Sequence, residues 1–268
     1  MSEPILRVDD LGVHSSTGAL LRDVSFQLEA GHRLGLIGES GSGKSLTALA
    51  IMGLLPDGLT ADGSISLGGS QVVGAAERQL VGLRGRVASV VFQEPLTALD
   101  PLMRLGRQLA EPIQRYRSLP RAELRAAVTD ALLEVGLDDA DRIARSFPHE
   151  VSGGQRQRVA IAMALATRPQ LLIADEPSTA LDVTVQAGVL DLLDRVISER
   201  GMSLLFISHD LAVVSRVADR VVLLRHGEVA DRGSLAELIA RPQHPYTREL
   251  VAGARELDRA IDNPGSLT

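Results

Sequence analysis

The chain has 268 residues, 45% of them hydrophobic, and a formal net charge of −6. That length allows one large domain or two small ones with a real core. Acids and bases are interspersed, which argues against a nucleic-acid surface, normally visible as clustered Lys and Arg. With no cysteine there is no disulfide framework, no thiolate metal site and no cysteine-ligated iron–sulfur cluster. The N-terminus, MSEPILRVDD, lacks the basic-then-apolar pattern of a signal peptide. Apolar runs such as VAIAMALA (159–166) fall far short of the ~20 residues a bilayer span needs. We therefore expect a cytosolic chain without a transmembrane segment. If it works at a membrane, another protein supplies the spans.

ILRV (5–8) and DVSFQL (23–28) read as strands, and Ala30-Gly31 form a turn before the next. RLGLI (33–37) is a short apolar run that leads straight into glycines, the pattern of a buried strand. VASVVF (87–92), LLIA (171–174) and LLFIS (204–208) have the same character. Near-continuous apolar runs suit strands covered on both faces, as in a parallel sheet. VVLL (221–224) predicts one arm of a late hairpin with Gly227 in its turn. Between the strands, Leu124, Ala127, Val128, Ala131, Leu132 and Val135 fall on one face of a helix. Pro120 suits its first turn and Gly136 its C-terminal cap. Residues from about 95 to 165 hold few strand-like runs, so they read as a helical insertion in an α/β core.

GESGSGKS (38–45) matches G-x-x-x-x-G-K-[ST] through Gly38, Gly43, Lys44 and Ser45. It follows a predicted strand and opens an apolar helix, SLTALAIMGLL, that Pro56 ends. Strand, loop and helix in that order are the context the motif requires. Backbone N–H groups of Gly38, Ser40, Gly41, Ser42 and Gly43 would curl around phosphate oxygens at a helix N-terminus. Lys44 would reach the β- and γ-phosphates of ATP, and the Ser45 hydroxyl would ligate Mg²⁺. LLIADEP ends a strand in Asp175, for Mg²⁺, and Glu176, to orient and deprotonate the attacking water. Gln93 and His209 end two further apolar strands, at the edge where ligands of parallel sheets bind, although either is also an ordinary strand cap.

VSGGQRQRV (151–159) supplies a second anion trap. Ser152, Gly153, Gly154 and Gln155 precede an apolar helix, giving bare N–H groups with no second lysine-bearing loop to serve. The economical reading is that this trap binds the phosphate held by another chain. An unliganded glycine-containing helix entry is the plainer alternative.

Taken together, GESGSGKS, the Gln93 strand end, VSGGQ, LLIADEP, STALD (178–182) and ISHD (207–210) occur in the order and spacing of ABC-transporter ATPase subunits, which nearly the whole chain resembles. The resemblance implies an α/β fold: a P-loop NTPase core with a mostly parallel sheet, an N-terminal antiparallel β subdomain and a helical insertion. It implies an ATPase domain over 1–240, with the helical subdomain at about 95–165, and a tail over 241–268. It also implies a head-to-tail dimer with two ATP molecules at its interface. Gln93 would contact Mg²⁺ and transmit nucleotide state to a membrane partner, His209 would contact the γ-phosphate, and Asp182 would couple the sites. The signature begins with Val151, where the family usually has Leu.

VVFQEPLTALDP (90–101), FPHEVSGGQRQRV (147–159) and RPQHPYTREL (241–250) resemble one branch, the oligopeptide, dipeptide and nickel importers. That implies membrane permease subunits, an external binding protein and a second ATPase subunit as partners, at the cytoplasmic face of the membrane, with no nucleic acid. His244 and Tyr246 of the HPYT-like tail have no evident catalytic part. We expect the tail to pack on the core or on a partner. Six scattered histidines make no nickel cluster, so that cargo would pass through the membrane subunits. The family often stacks adenine on an N-terminal aromatic residue. LGVHSSTG (11–18) offers only the imidazole of His14, so we expect weak base selectivity. An exporter ATPase lacks the HPYT-like tail. A soluble ABC ATPase of ribosomes or DNA usually shows tandem cassettes or basic surfaces, and a P-loop kinase has no use for SGGQ.

Overall fold

A computed structural model describes residues 3–92, 99–177 and 183–262. Strands β1 (Leu6–Ser15) and β2 (Gly18–Leu28) form a hairpin, and β1 pairs on its other side with β4 (Thr60–Leu67), which carries β5 (Ser70–Gln71). All these pairs are antiparallel, in the order β2-β1-β4-β5. β1 runs well past the predicted ILRV because its register shifts between Val8 and Leu11. Asp10 sits there at φ 48, and its N–H donates to Ser25 Oγ at 2.8 Å. A bulge of this kind breaks the period of two that sequence reading depends on.

The central sheet contains β3 (Arg33–Ile37), β6 (Ala88–Val91), β7 (Leu171–Asp175), β8 (Ser203–Ser208), β9 (Arg220–Arg225) and β10 (Glu228–Ser234). Their order is β10-β9-β3-β8-β7-β6. Every pair is parallel except the edge hairpin of β9 and β10, where Gly227 takes φ 80 in the predicted turn. Alternate residues serve opposite cores. Leu204 and Phe206 of β8, like Leu172 and Ala174 of β7, join one apolar cluster. Leu205, Ile207, Leu171 and Ile173 join the other. A strand buried on both faces cannot show a polar period, which is why these segments read as unbroken apolar runs.

One core lies between this sheet, the antiparallel sheet and α1 (Lys44–Ile51). The other is built under α3 (Leu105–Tyr116), α4 (Arg121–Glu134), α5 (Ala140–Arg145), α6 (Gly153–Leu165) and α7 (Val183–Arg200), with α2 (Glu77–Leu83) outside it. The apolar stripe of α4 faces inward. Val128, Leu132 and Val135 are buried, and Leu124, Ala127 and Ala131 pack against the same cluster. Gly136, at φ 70, ends α4. Its N–H donates to Leu133 O at 2.9 Å, and that of Leu137 to Leu132 O at 3.0 Å, the paired bonds of a Schellman cap. The same cap at Gly53 stops α1 before Pro56, shorter than the apolar run suggested: Gly53 N–H donates to Ala50 O at 3.0 Å and Leu54 N–H to Leu49 O at 2.8 Å. Arg200 of α7 ties the helices together, donating to Glu134 Oε1 at 2.8 Å and Leu165 O at 2.9 Å. Short helices α8 (Leu211–Ser215) and α9 (Leu235–Ala240) lead to α10 (Pro245–Asp262). No helix among the described residues is long and apolar enough to cross a membrane.

Candidate functional site

Three adjacent strands, β3, β8 and β7, run parallel, so their C-terminal ends open on one crevice. β3 delivers the loop 38–43. Gly43 caps α1 at φ 103, and a Cβ there would stand 2.3 Å from Leu21 Cδ2. Only glycine meets both demands. The loop leads into Lys44, whose side chain is 5% exposed. Its Nζ donates to Gly38 O at 2.7 Å and to Glu39 O at 3.0 Å. Burial pulls the lysine below its ordinary pKa, and the charges of Glu176 and Asp175 pull it back. The ammonium is thus held ready on two carbonyls, which a phosphate can replace.

β7 delivers the carboxylates. Asp175 is 4% exposed, and its Oδ1 has no hydrogen-bond partner among the described residues. Burial raises its pKa first. The Ser45 hydroxyl, hydrogen-bonded to it, lowers the pKa, the Glu176 charge raises it and that of Lys44 lowers it. Ser42 Oγ, in the 38–43 loop, is a second buried orphan. Unpaired buried polar atoms are uncommon and call for an explanation, and a ligand in the crevice would supply one. What the site offers a divalent cation is the Asp175 carboxylate and the Ser45 hydroxyl. That sparse oxygen set suits an ion that completes its shell with water and phosphate.

Glu176 follows in the left-handed region at φ 45, its N–H extending the β7–β8 ladder to Ile207 O at 3.0 Å. Its Oε1 lies 3.3 Å from His209 Nδ1 and 3.7 Å from Lys44 Nζ. The predicted partners Lys44, Ser45, Glu176 and His209 thus line one cavity of about 720 Å³, together with Ser40, Gly41 and Gly43.

The second trap is elsewhere. Ser152 caps α6, accepting from the Gln155 N–H at 3.2 Å, while Gln155 Oε1 accepts from the Ser152 N–H at 3.0 Å. This reciprocal box leaves the N–H groups of Gly153 and Gly154 at an open helix end. None of residues 152–155 lines the P-loop cavity. His14 does not line it either: its Nε2 lies 3.1 Å from Asp62 Oδ2 across β1 and β4. Gln93 and Asp182 lie outside the described residues. Sequence reading missed five lining residues: Leu20, Glu39, Leu46, Tyr246 and Leu250. The HPYT motif drew attention to Tyr246 without indicating where the ring goes.

The ABC transporter family profile matches residues 21–179. The chain is 46% identical over 263 residues to the probable D,D-dipeptide transport ATP-binding protein DdpD of Escherichia coli (strain K12), covering 96% of this chain and 80% of that protein. It is 40% identical over 278 residues to the oligopeptide transport ATP-binding protein OppD of Bacillus subtilis (strain 168), covering 98% and 78%. It is 45% identical to the peptidoglycan transport ATP-binding protein YejF of Agrobacterium fabrum (strain C58 / ATCC 33970), of which it spans only 47%. Among solved structures, the ATP-binding cassette MJ0796, as a dimer in a post-hydrolysis state bound to ADP and Pi, matches with a TM-score of 0.77. The identity there is 27%, over 86% of this chain and 98% of that one.

Proposed function

This chain belongs to the ABC transporter family, and we propose that it is the ATP-hydrolysing subunit that powers import of di- or oligopeptides through a membrane transporter. The observation that carries the reading is the convergence of Lys44, Ser45, Asp175, Glu176 and His209 at the ends of adjoining parallel strands. The similarity to DdpD, a probable D,D-dipeptide transport protein, and to OppD, an oligopeptide transport protein, supports peptides as the cargo.

ATP enters with its phosphates on the 38–45 loop, and Lys44 turns from the Gly38 and Glu39 carbonyls to the β- and γ-phosphates. Glu176 accepts a proton from water as the water oxygen attacks the γ-phosphorus. The bond to the bridging β-phosphate oxygen breaks, leaving ADP and phosphate. His209 holds Glu176 on one side and reaches the γ-phosphate on the other. Ser45 and Asp175, with Gln93 assigned to the same ion, would hold Mg²⁺, which would supply charge neutralisation at the phosphates.

Ser152, Gly153, Gly154 and Gln155 complete the site of a second ATPase chain, identical or related, with Asp182 linking the two sites. Nucleotide then draws the halves together and its hydrolysis lets them part. Residues 1–240 form the ATPase domain, with a helical subdomain at about 95–165 facing membrane permease subunits, and 241–268 form the tail. An external binding protein delivers cargo, and the chain works as a peripheral subunit at the cytoplasmic face of the membrane.

The test is uptake of a labelled dipeptide and of labelled nickel in cells lacking the chain, complemented with wild type or Glu176→Gln. We expect dipeptide uptake to return with wild type only. Nickel uptake restored in its place would reassign the cargo, and neither restored would take the chain out of this branch.

A further inference from the structure

The tail motif HPYT has no part in the hydrolysis just described, yet it is fastened beneath the P-loop. Tyr246, in the first turn of α10, is 1% exposed. The Arg225 guanidinium, at the end of β9, lies 5.0 Å from its ring centroid. Thr247 Oγ1 donates to Asp231 Oδ2 at 2.7 Å, and His244 Nδ1 accepts from the Tyr246 N–H at 3.2 Å. These contacts seat the helix start on the β9–β10 hairpin. Tyr246 and Leu250 thereby line the same cavity as Lys44, Glu176 and His209.

The phenol is unsatisfied there. Tyr246 Oη has no hydrogen-bond partner among the described residues, and an unpaired buried hydroxyl is one of the exceptions that needs a reason. Burial and then the Glu39 charge raise its pKa, opposed by the Glu39 main-chain N–H and by Arg225. At neutral pH it is therefore an O–H donor beside the Glu39 main chain. Glu39 belongs to the P-loop, and its carbonyl is held by Lys44 Nζ at 3.0 Å. When phosphate draws the lysine away, that carbonyl loses its donor while a buried, unused donor stands next to the residue.

We propose that Tyr246 is a positioning residue whose hydroxyl takes up Glu39 when Lys44 turns to bound nucleotide, so that ATP binding and seating of the tail helix strengthen each other. This rests on the P-loop being the ATP site. Linkage makes the effect reciprocal: the factor by which ATP tightens the seated tail is the factor by which the seated tail tightens ATP. One net hydrogen bond sets that factor at roughly fivefold.

The experiment uses the full chain in a Glu176→Gln background, so that ATP is bound and not consumed. ATP affinity is measured together with amide hydrogen exchange over residues 245–250, with and without Mg-ATP. We expect ATP to slow exchange in that segment. Tyr246→Phe, which keeps the ring against Arg225, should leave unliganded exchange unchanged, weaken ATP roughly fivefold and abolish the ATP-dependent slowing. Thr247→Val, which touches no P-loop atom, should loosen the segment and weaken ATP in proportion. The inference is overturned if Tyr246→Phe binds ATP like its parent and keeps the slowing, or if Thr247→Val loosens the tail at unchanged affinity. Failure of the parent to bind ATP would remove instead the site on which the inference rests.

Discussion

At the scale of single residues, two neighbouring acids stand in different situations. Glu176 is held at φ 45, a conformation that costs a non-glycine residue about 1–3 kcal/mol. The β7–β8 ladder imposes it through the Glu176 N–H, and the result aims the carboxylate between Lys44 and His209. Glu176→Gln preserves size and backbone, so it should bind ATP and hydrolyse it about 10²–10⁴-fold more slowly. Phosphate release in single-turnover conditions measures this, and wild-type release would remove Glu176 as the base. Asp175 differs because it is charged where burial opposes charge. Its folded pKa is raised, so its contribution to stability is present below the ordinary carboxylate pKa and is lost as pH rises through the folded value. Asp175→Asn removes that penalty while keeping an acceptor for Ser45. The nucleotide-free variant should therefore melt higher than wild type at neutral pH, by roughly 2–4 °C per kcal/mol recovered. The gain should vanish below the ordinary carboxylate range. Thermal melts across pH decide it, and an equal gain at acid pH would mean packing and not charge.

At the scale of elements, each trap is a helix N-terminus, and the two are fixed to different parts of the chain. If Ser152–Gln155 serve a partner's nucleotide, defects in the two traps should complement. Lys44→Ala disables the P-loop. Gly154→Asp puts a carboxylate where phosphate would sit, yet an acid in the first turn still favours helix α6. Each protein alone should be inactive, and an equimolar mixture should regain about a quarter of wild-type hydrolysis, since random pairing leaves one intact site in half the dimers. No recovery on mixing would mean that each chain completes its own site. The P-loop and both carboxylates were legible because each lies where an unbroken apolar run stops, and a doubly covered strand has to look that way; the signature helix was legible from Ser152 and two glycines set ahead of an apolar helix. β1 was only partly legible because its bulge at Asp10 disturbs the alternation. β4 was missed because TADGSISL is largely polar. The end of α1 was misjudged because the cap at Gly53, and not Pro56, satisfies the last carbonyls. Tyr246 could not be placed, since Arg225 and Glu39 come to it through tertiary packing that no local spacing encodes.

At the scale of the whole molecule, hydrolysis becomes transport only if the change at the crevice reaches the membrane subunits. The stretch 99–105, which leads into α3, is a candidate for that contact. It is pinned at both ends by Leu99 and Leu105, 3% and 0% exposed. Between them Leu102 is 88% exposed, against 36–46% for the other large exposed apolar side chains among the described residues. Held out on an anchored segment, this side chain has little to lose and an apolar partner to gain, the character of an interface anchor. Leu102→Ser removes no folded-state contact of consequence, so stability should stay within about 0.5 kcal/mol, and hydrolysis by the isolated chain should be unchanged. Peptide uptake in cells, and any stimulation of hydrolysis by permease subunits in reconstituted vesicles, should fall together. Loss of both with normal isolated hydrolysis would place the membrane contact at Leu102. Uptake at the wild-type rate would move the contact to another face of the helical layer and leave the ATPase site as described.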